Sequence, residues 1–324
     1  MRGILLYNPA SGRSQSTRAS LIERVVATLQ SHGYELEIVA TTHRGSAGDQ
    51  ARQAIAAGAE IIFVCGGDGT IHDALQGIAG TSARFAIIPL GSANALCREL
   101  GIPLHPLKAA EAYRTTRQRE LQIARCNTPQ SERYFLIMSG AGPDGALMYH
   151  MLTTSKGRLG RWTYAMHALH LLLRARWHNF QVRYQTLDGG WHTTSAISAM
   201  ALRIGNLGGI FPGIARGASL SASTMRLVLV KSPALLGLPL WFLFSWLRLD
   251  RWNPYLQTAD VQAFHCESTE GKVHTQADGE WIGTLPLSAE LSEQRLILLV
   301  PGKEITEFHK PHESRRSRYS NQPT

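Results

Sequence analysis

Five apolar residues, Ile61-Ile62-Phe63-Val64-Cys65, run straight into Gly66-Gly67-Asp68-Gly69-Thr70, and a helical pattern (Ile71, Ala74, Leu75, Ile78) follows at once. A short β-rich run that ends in glycines and opens a helix is the strand-turn-helix unit that cradles phosphates. Glycine lets the backbone come close to a ligand, and the free N–H groups at a helix start face an anion. A carboxylate in such a loop repels phosphate unless it holds a Mg²⁺ ion or takes a proton from an attacking hydroxyl. Asp68 therefore points to phosphoryl transfer.

The unit recurs across the first third of the chain. Residues 3–7 read as a buried strand, followed by the turn Asn8-Pro9-Ala10-Ser11-Gly12-Arg13 and an amphipathic helix near 17–32. Residues 34–40 and 46–57 form a second strand and helix. A fourth strand at 85–89 leads through Gly91-Ser92-Ala93-Asn94 into a helix ending near Leu100. Strands alternating with helices at this spacing imply a parallel, doubly wound sheet. Ligands gather at the carboxyl ends of its strands. Three of those ends carry glycine-bearing polar loops, at 8–12, 66–70 and 91–94, and they converge on one site.

From about residue 120 the texture changes to short β-branched or alternating runs at 120–126, 133–139, 181–186, 196–204, 225–230, 261–266, 272–276 and 296–300. Helical patches at 162–175 and 234–249 interrupt them. The fold expected is α/β: a nucleotide-binding doubly wound domain over 1–122, then a β-sandwich-like domain over 123–295. The terminal strand near 296–308 is a candidate to return to the first domain, and the basic residues 309–324 form a disordered tail.

A chain of 324 residues accommodates about two domains, and 44% hydrophobic with 18% charged residues is a globular composition. The net charge of +9 makes an anionic partner plausible, although no nucleic-acid motif is evident. Cys65, Cys97, Cys126 and Cys266 form no CxxC pair and read as buried free thiols in a reducing compartment. The thirteen histidines fall in no ligand spacing. The apolar start before Asn8 is too short for a signal peptide. The longest apolar stretch, 234–247, holds Pro239 and is shorter than the roughly 20 residues a membrane span needs. A cytoplasmic chain with peripheral membrane contact is expected. Trp241, Trp246 and Trp252, with Arg248 and Arg251, read either as a core helix or as an interfacial one on an anionic membrane.

Taken together these motifs resemble the diacylglycerol kinase catalytic-domain family, which includes bacterial lipid kinases and sphingosine kinases. The likeness covers about residues 3–301 and rests on Asn8 to Gly12, Gly66 to Asp73 and Pro89 to Leu96. It continues through Gly140-Ala141-Gly142-Pro143-Asp144-Gly145 with Lys156 and Gly160, then Ile204-Gly205-Asn206 and Asp278-Gly279-Glu280. The central loop is shared with NAD kinases; the ordered set is specific. The resemblance implies ATP and Mg²⁺ bound between two domains, and transfer of the γ-phosphate to a lipid alcohol. It implies that nucleotide contacts come from Asn8, Ser11, Gly12, Thr42, Gly66, Gly67, Gly69, Thr70, Gly91, Ser92 and Asn94. It makes Asp68 and Glu280 competing candidates for the catalytic base, with Asp68 and Asp278 serving the metal. Ala95 stands where many members carry Asp, and the segment 211–225 departs from the family pattern, which puts a second, structural metal site in doubt. Asp-Gly at 278–279 is also a plain hairpin signal. A soluble-metabolite kinase such as an NAD kinase, or a regulator without catalysis, remain alternatives, and a homodimer is compatible with the chain.

Overall fold

The computed structural model describes residues 1–9, 15–154, 177–205, 207, 215–231, 244 and 253–302. The expected alternation is present in its first part. Strands β1 (Arg2–Tyr7), β2 (Glu35–Ala40), β3 (Ile61–Gly66) and β4 (Arg84–Pro89) alternate with helices α1 (Gln15–Ser31), α2 (Ser46–Ala56), α3 (Asp68–Ile78) and α4 (Ala95–Glu99). A further helix, α5 (Pro106–Ala112), precedes the long strand β5 (Thr116–Thr128). β1 pairs in parallel with both β2 and β3, and β3 with β4. All six residues of β3 are buried, as a parallel strand covered on both faces requires.

The chain leaves β1 toward β2 and returns to β3 on the other side. The sheet therefore switches direction between β1 and β3, and ligands of open α/β sheets bind outside such a point. The loops after these two strands carry Asn8 and the Asp68 segment.

The remaining strands are β6 (Ser131–Phe135), β7 (Met138–Ala141), β8 (Phe180–Thr186), β9 (Trp191–Ala196), β10 (Ser198–Leu202), β11 (Met225–Val230), β12 (Leu256–Glu267), β13 (His274–Ala277), β14 (Glu280–Thr284) and β15 (Leu287–Pro301). Helix α6 (Pro143–Thr154) lies between β7 and β8. Apart from β15 beside β4, the pairings here are antiparallel, and one sheet runs β14-β13-β7-β10-β11-β12-β15-β4-β3-β1-β2, with β5, β6, β8 and β9 branching from it. The α/β class is as expected, with a β-rich second part.

Among the described residues three core clusters pack on this sheet, the smallest on β10 and β11, and two strands belong to both of the larger ones. Leu121 and Ile123 of β5 enter the first core, Ala124 and Cys126 the second. In β15, Leu287 and Ala289 lie in the second core and Leu296, Leu298, Leu299 and Val300 in the first. β15 thus returns to the first sheet, pairing in parallel with β4 through Ile297 and Leu298. The position 122/123 falls inside β5, where that strand passes between cores.

One expected strand is two. Residues 133–139 break between β6 and β7 because the amides of Leu136 and Ile137, with that of Met138, donate to the Asp278 carboxylate and not to a ladder. Helix α6 was not read from the sequence; its start, Pro143-Asp144, follows the glycine-rich segment 140–142. All four cysteines are free and buried, and burial pushes their thiols up, to about 12 for Cys97 and Cys126. The helical patch at 162–175, most of 234–249 and the tail at 309–324 lie outside the described residues, as do Lys156, Gly160, Asn206 and residues 211–214.

Candidate active site

The loops at the carboxyl ends of β1, β3 and β4 meet. Asn8 donates from its backbone to Cys65 O at 3.4 Å and from Nδ2 to Thr70 Oγ1 at 3.3 Å, which ties the first loop to the central one. Gly67 caps α3, and its carbonyl accepts from Thr70 and Ile71. A Cβ on Gly91 would lie 2.6 Å from Gly67 Cα, so these loops touch backbone to backbone and only glycine permits it. Asn94 holds the third loop in shape. It sits at φ 48°, accepts from Gly91 N at 3.0 Å and donates to Gly91 O at 2.8 Å. Ser92 is exposed in that loop. Ser11 and Gly12 lie outside the described residues. Thr42 follows β2 at the same edge of the sheet, where its amide donates to Ser46 Oγ at 3.0 Å.

Asp68 opens α3 and faces the amides of Asn94, Ala95 and Leu96 at the start of α4. Burial pushes its carboxyl above the usual range against the pull of those amides, and the charge of Asp278 adds to the rise. Its Oδ1 is buried with no hydrogen-bond partner. An orphaned carboxylate oxygen is costly, and a cation would satisfy it. Among the described residues no cluster of three or more His, Cys, Asp or Glu side chains could hold a metal. Mg²⁺ needs no such cage, since it binds through one or two carboxylates, phosphate oxygens and water. The residues present fit a nucleotide-borne Mg²⁺ at Asp68.

Asp278 and Gly279 form the two-residue turn between β13 and β14, with φ of 48° and 84°, as a type I′ hairpin requires. The Asp278 side chain is buried. It accepts three amides at 2.8 Å, from Leu136, Ile137 and Met138, and its Oδ2 lies 3.3 Å from His72 Nδ1 on α3. Both oxygens are thus committed, and they fasten the hairpin tip to the β6–β7 bend and to the first helical layer.

That anchoring sets the next residue. Glu280 begins β14, and a Cβ on Gly69 would lie 2.9 Å from its Oε1, so the carboxylate stands over the central loop. It is ion-paired with Arg44, which follows β2. The loops of Asn8, Gly67 and Gly91, with Asp68 among them, therefore meet Glu280, which comes from the β-rich part of the chain. Sequence reasoning missed Arg44 and Gln276. Arg44 had a signal, being in a loop at the same strand edge; Gln276, which accepts from Gly279 N at 3.0 Å, had none.

Residues 2–126 match the family model described as diacylglycerol kinase catalytic domain. A Bacillus subtilis (strain 168) protein named diacylglycerol kinase is 29% identical over 233 residues, covering 71% of this chain and 74% of that protein. A Staphylococcus aureus (strain bovine RF122 / ET3-1) protein of the same name is 23% identical over 94% of both chains. The match to another, from Staphylococcus carnosus (strain TM300), is 27% identical and spans 55% of that protein. Among solved structures, one described as a diacylglycerol kinase from Bacillus anthracis str. Sterne superposes with a TM-score of 0.68 at 23% identity, over 92% of this chain and 94% of that one.

Proposed function

We propose that this chain, whose residues 2–126 match the diacylglycerol kinase catalytic domain model, is a lipid kinase that moves the γ-phosphoryl group of ATP to the hydroxyl of a lipid alcohol. The observation that carries this reading is the Glu280 carboxylate held over Gly69 of the Asp68 loop from the opposite part of the molecule. Phosphoryl transfer asks for amides around phosphates, a cation and a carboxylate near the nucleophile. The loops at Asn8, Gly67 and Gly91 supply the first, and Asp68 with its unpartnered oxygen would hold the cation. Mg²⁺ bound there would neutralise charge on the phosphate oxygens. Glu280, over Gly69, would accept the proton of the lipid hydroxyl, and Arg44 would keep that carboxylate in place and lend positive charge to the phosphates.

The test is γ-labelled ATP with a panel of lipid alcohols in mixed micelles. General-base assistance is worth ~10²–10⁴-fold. Glu280→Gln should lose at least about 100-fold in turnover with ATP binding intact, whereas Asp68→Asn should lose Mg²⁺-dependent ATP binding. Full activity in both variants would overturn the assignment. NAD as an alternative acceptor tests the soluble-metabolite reading, and nucleotide binding without turnover on any acceptor would favour a regulator.

Peripheral attachment to an anionic membrane belongs to the same proposal. Among the described residues no helix is long and apolar enough to cross a membrane. The net charge of +9 supports surface attachment, as does the sequence around Trp241, Trp246 and Trp252, which lies outside the described residues. Co-sedimentation with anionic vesicles at low salt is expected, and none would count against it.

A further inference from the structure

The hairpin that carries Glu280 has a second wall. Trp281, the next residue, donates from Nε1 to His274 Nδ1 at 3.1 Å. An indole nitrogen can only donate, so His274 Nδ1 carries no proton and the neutral ring bears its hydrogen on Nε2. Burial, with the charge of Lys272, pushes His274 below the usual histidine range and favours that neutral form. Tyr149 of α6 stacks flat on the imidazole, with centroids 4.2 Å apart and planes 14° from parallel.

The rings of His274 and Tyr149 border a cavity of about 250 Å³ that Trp177, His178 and Lys272 also line. Its lining holds three histidines and a lysine but no carboxylate. The Nε1 of Trp177 is buried without a hydrogen-bond partner. A buried donor left unmade is costly, so the wall favours a ligand that can accept.

We propose that this cavity is an anion site for a phosphate ester, separate from the nucleotide loops. Lys272 supplies the charge, while the indole of Trp177 and the imidazoles supply donors. The volume lies below the several hundred Å³ typical of sites that enclose a drug-sized ligand. That size suits a headgroup and leaves acyl chains outside. The same chemistry could come from a phospholipid headgroup or from free phosphate. Because His274 lies on β13, the strand paired with the one that begins at Glu280, an occupant would bear on the hairpin that presents the carboxylate.

The test is tryptophan fluorescence of the full chain, titrated with inorganic phosphate, with soluble dihexanoyl phosphatidic acid and with uncharged dihexanoylglycerol. Wild type is compared with Lys272→Met, an exposed position whose loss should leave the fold intact, and with Trp177→Phe. A saturable response to a phosphate-bearing probe, weakened at least about tenfold in Lys272→Met, is expected. A response to phosphatidic acid alone identifies a lipid headgroup, and an equal response to inorganic phosphate identifies the free ion. The proposal is overturned by no saturable response, by an equal response to dihexanoylglycerol, or by phosphate binding that ignores Lys272 and so belongs to the nucleotide loops. Kinase activity is not read, so the outcome is independent of the lipid kinase proposal.

Discussion

Four carboxylates in this molecule differ because their oxygens meet different things. Asp278 gives its oxygens to three amides and faces a histidine, and it holds structure together. Asp68 faces amides but keeps one oxygen unpartnered, and Glu280 stands over Gly69, paired with Arg44. Asp144 has a buried carboxyl with few partners. Among the described residues only Gln276 donates to it through a side chain, at 3.0 Å, and its Oδ1 is buried without a partner. Burial raises its carboxyl from the ordinary 3.8 to about 6. Between about pH 4 and 6 the folded chain therefore keeps a proton that the unfolded chain releases, so stability is highest below that window and falls as pH rises through it. A shift of about two pH units corresponds to about 3 kcal/mol. Asp144→Asn, which keeps an acceptor for Gln276, should flatten that fall. Urea unfolding at pH 4, 5, 6 and 7 checks it, and an unchanged pH profile in the variant would show that the carboxyl titrates normally.

Among the elements, the β13–β14 hairpin and the α2–α3 pair set the site. β13 is already laddered to β7 on its other side, and the Asp278 carboxylate fixes the hairpin tip further by capping the β6–β7 bend. Asp278→Ala would strand three buried amides, each worth roughly 1–3 kcal/mol when unsatisfied. A loss of about 3 kcal/mol or more is expected by chemical denaturation, with a larger fall in turnover than in ATP affinity, since Glu280 loses its placement while the loops do not. The α2–α3 contact is closer than ordinary side chains allow. A Cβ on Gly77 would lie 1.9 Å from Gly48 O, so α3, which starts at the Asp68 loop, is seated by a glycine crossing. Overpacking typically costs about 1–3 kcal/mol. Gly77→Ala should reach the top of that range, because backbone and not a flexible side chain must move; a melting temperature equal to wild type would contradict the crossing.

At the scale of the whole molecule, β5 and β15 join the two larger cores. Leu298 is fully buried in the first core, on the strand whose other end, at Leu287, is buried in the second. All seven tryptophans fall after residue 160, so their fluorescence follows the β-rich part, whereas α1 to α5 dominate the helical signal of the first part. Thermal unfolding followed by both signals should coincide. Leu298→Ala, expected to cost about 2–5 kcal/mol, should lower both midpoints together. Separated transitions would mean that the shared strands do not couple the cores.

Much of this was legible in the residues because it is short-range. The order strand, glycines, helix at 61–78 dictates a turn whose amides face outward, and repetition of that order dictates a parallel sheet with its loops at one edge. Asp-Gly at 278–279 dictates a hairpin, since both positions need positive φ. What depended on distance was not legible. Arg44 and Glu280 are 236 positions apart, and Asp278 meets the amide of Leu136 across 142. No periodicity carries information over such spans. Residues 133–139 read as one strand because their side chains suit one; it is the Asp278 carboxylate, arriving from the far end of the chain, that takes their amides. The sequence by itself therefore determined the α/β class and which strands end in glycine-bearing polar loops. The tertiary structure alone decided which carboxylate stands over them, and that a cationic, aromatic cavity backs the same hairpin, because closing two cores around a shared strand is what brings such remote residues into contact.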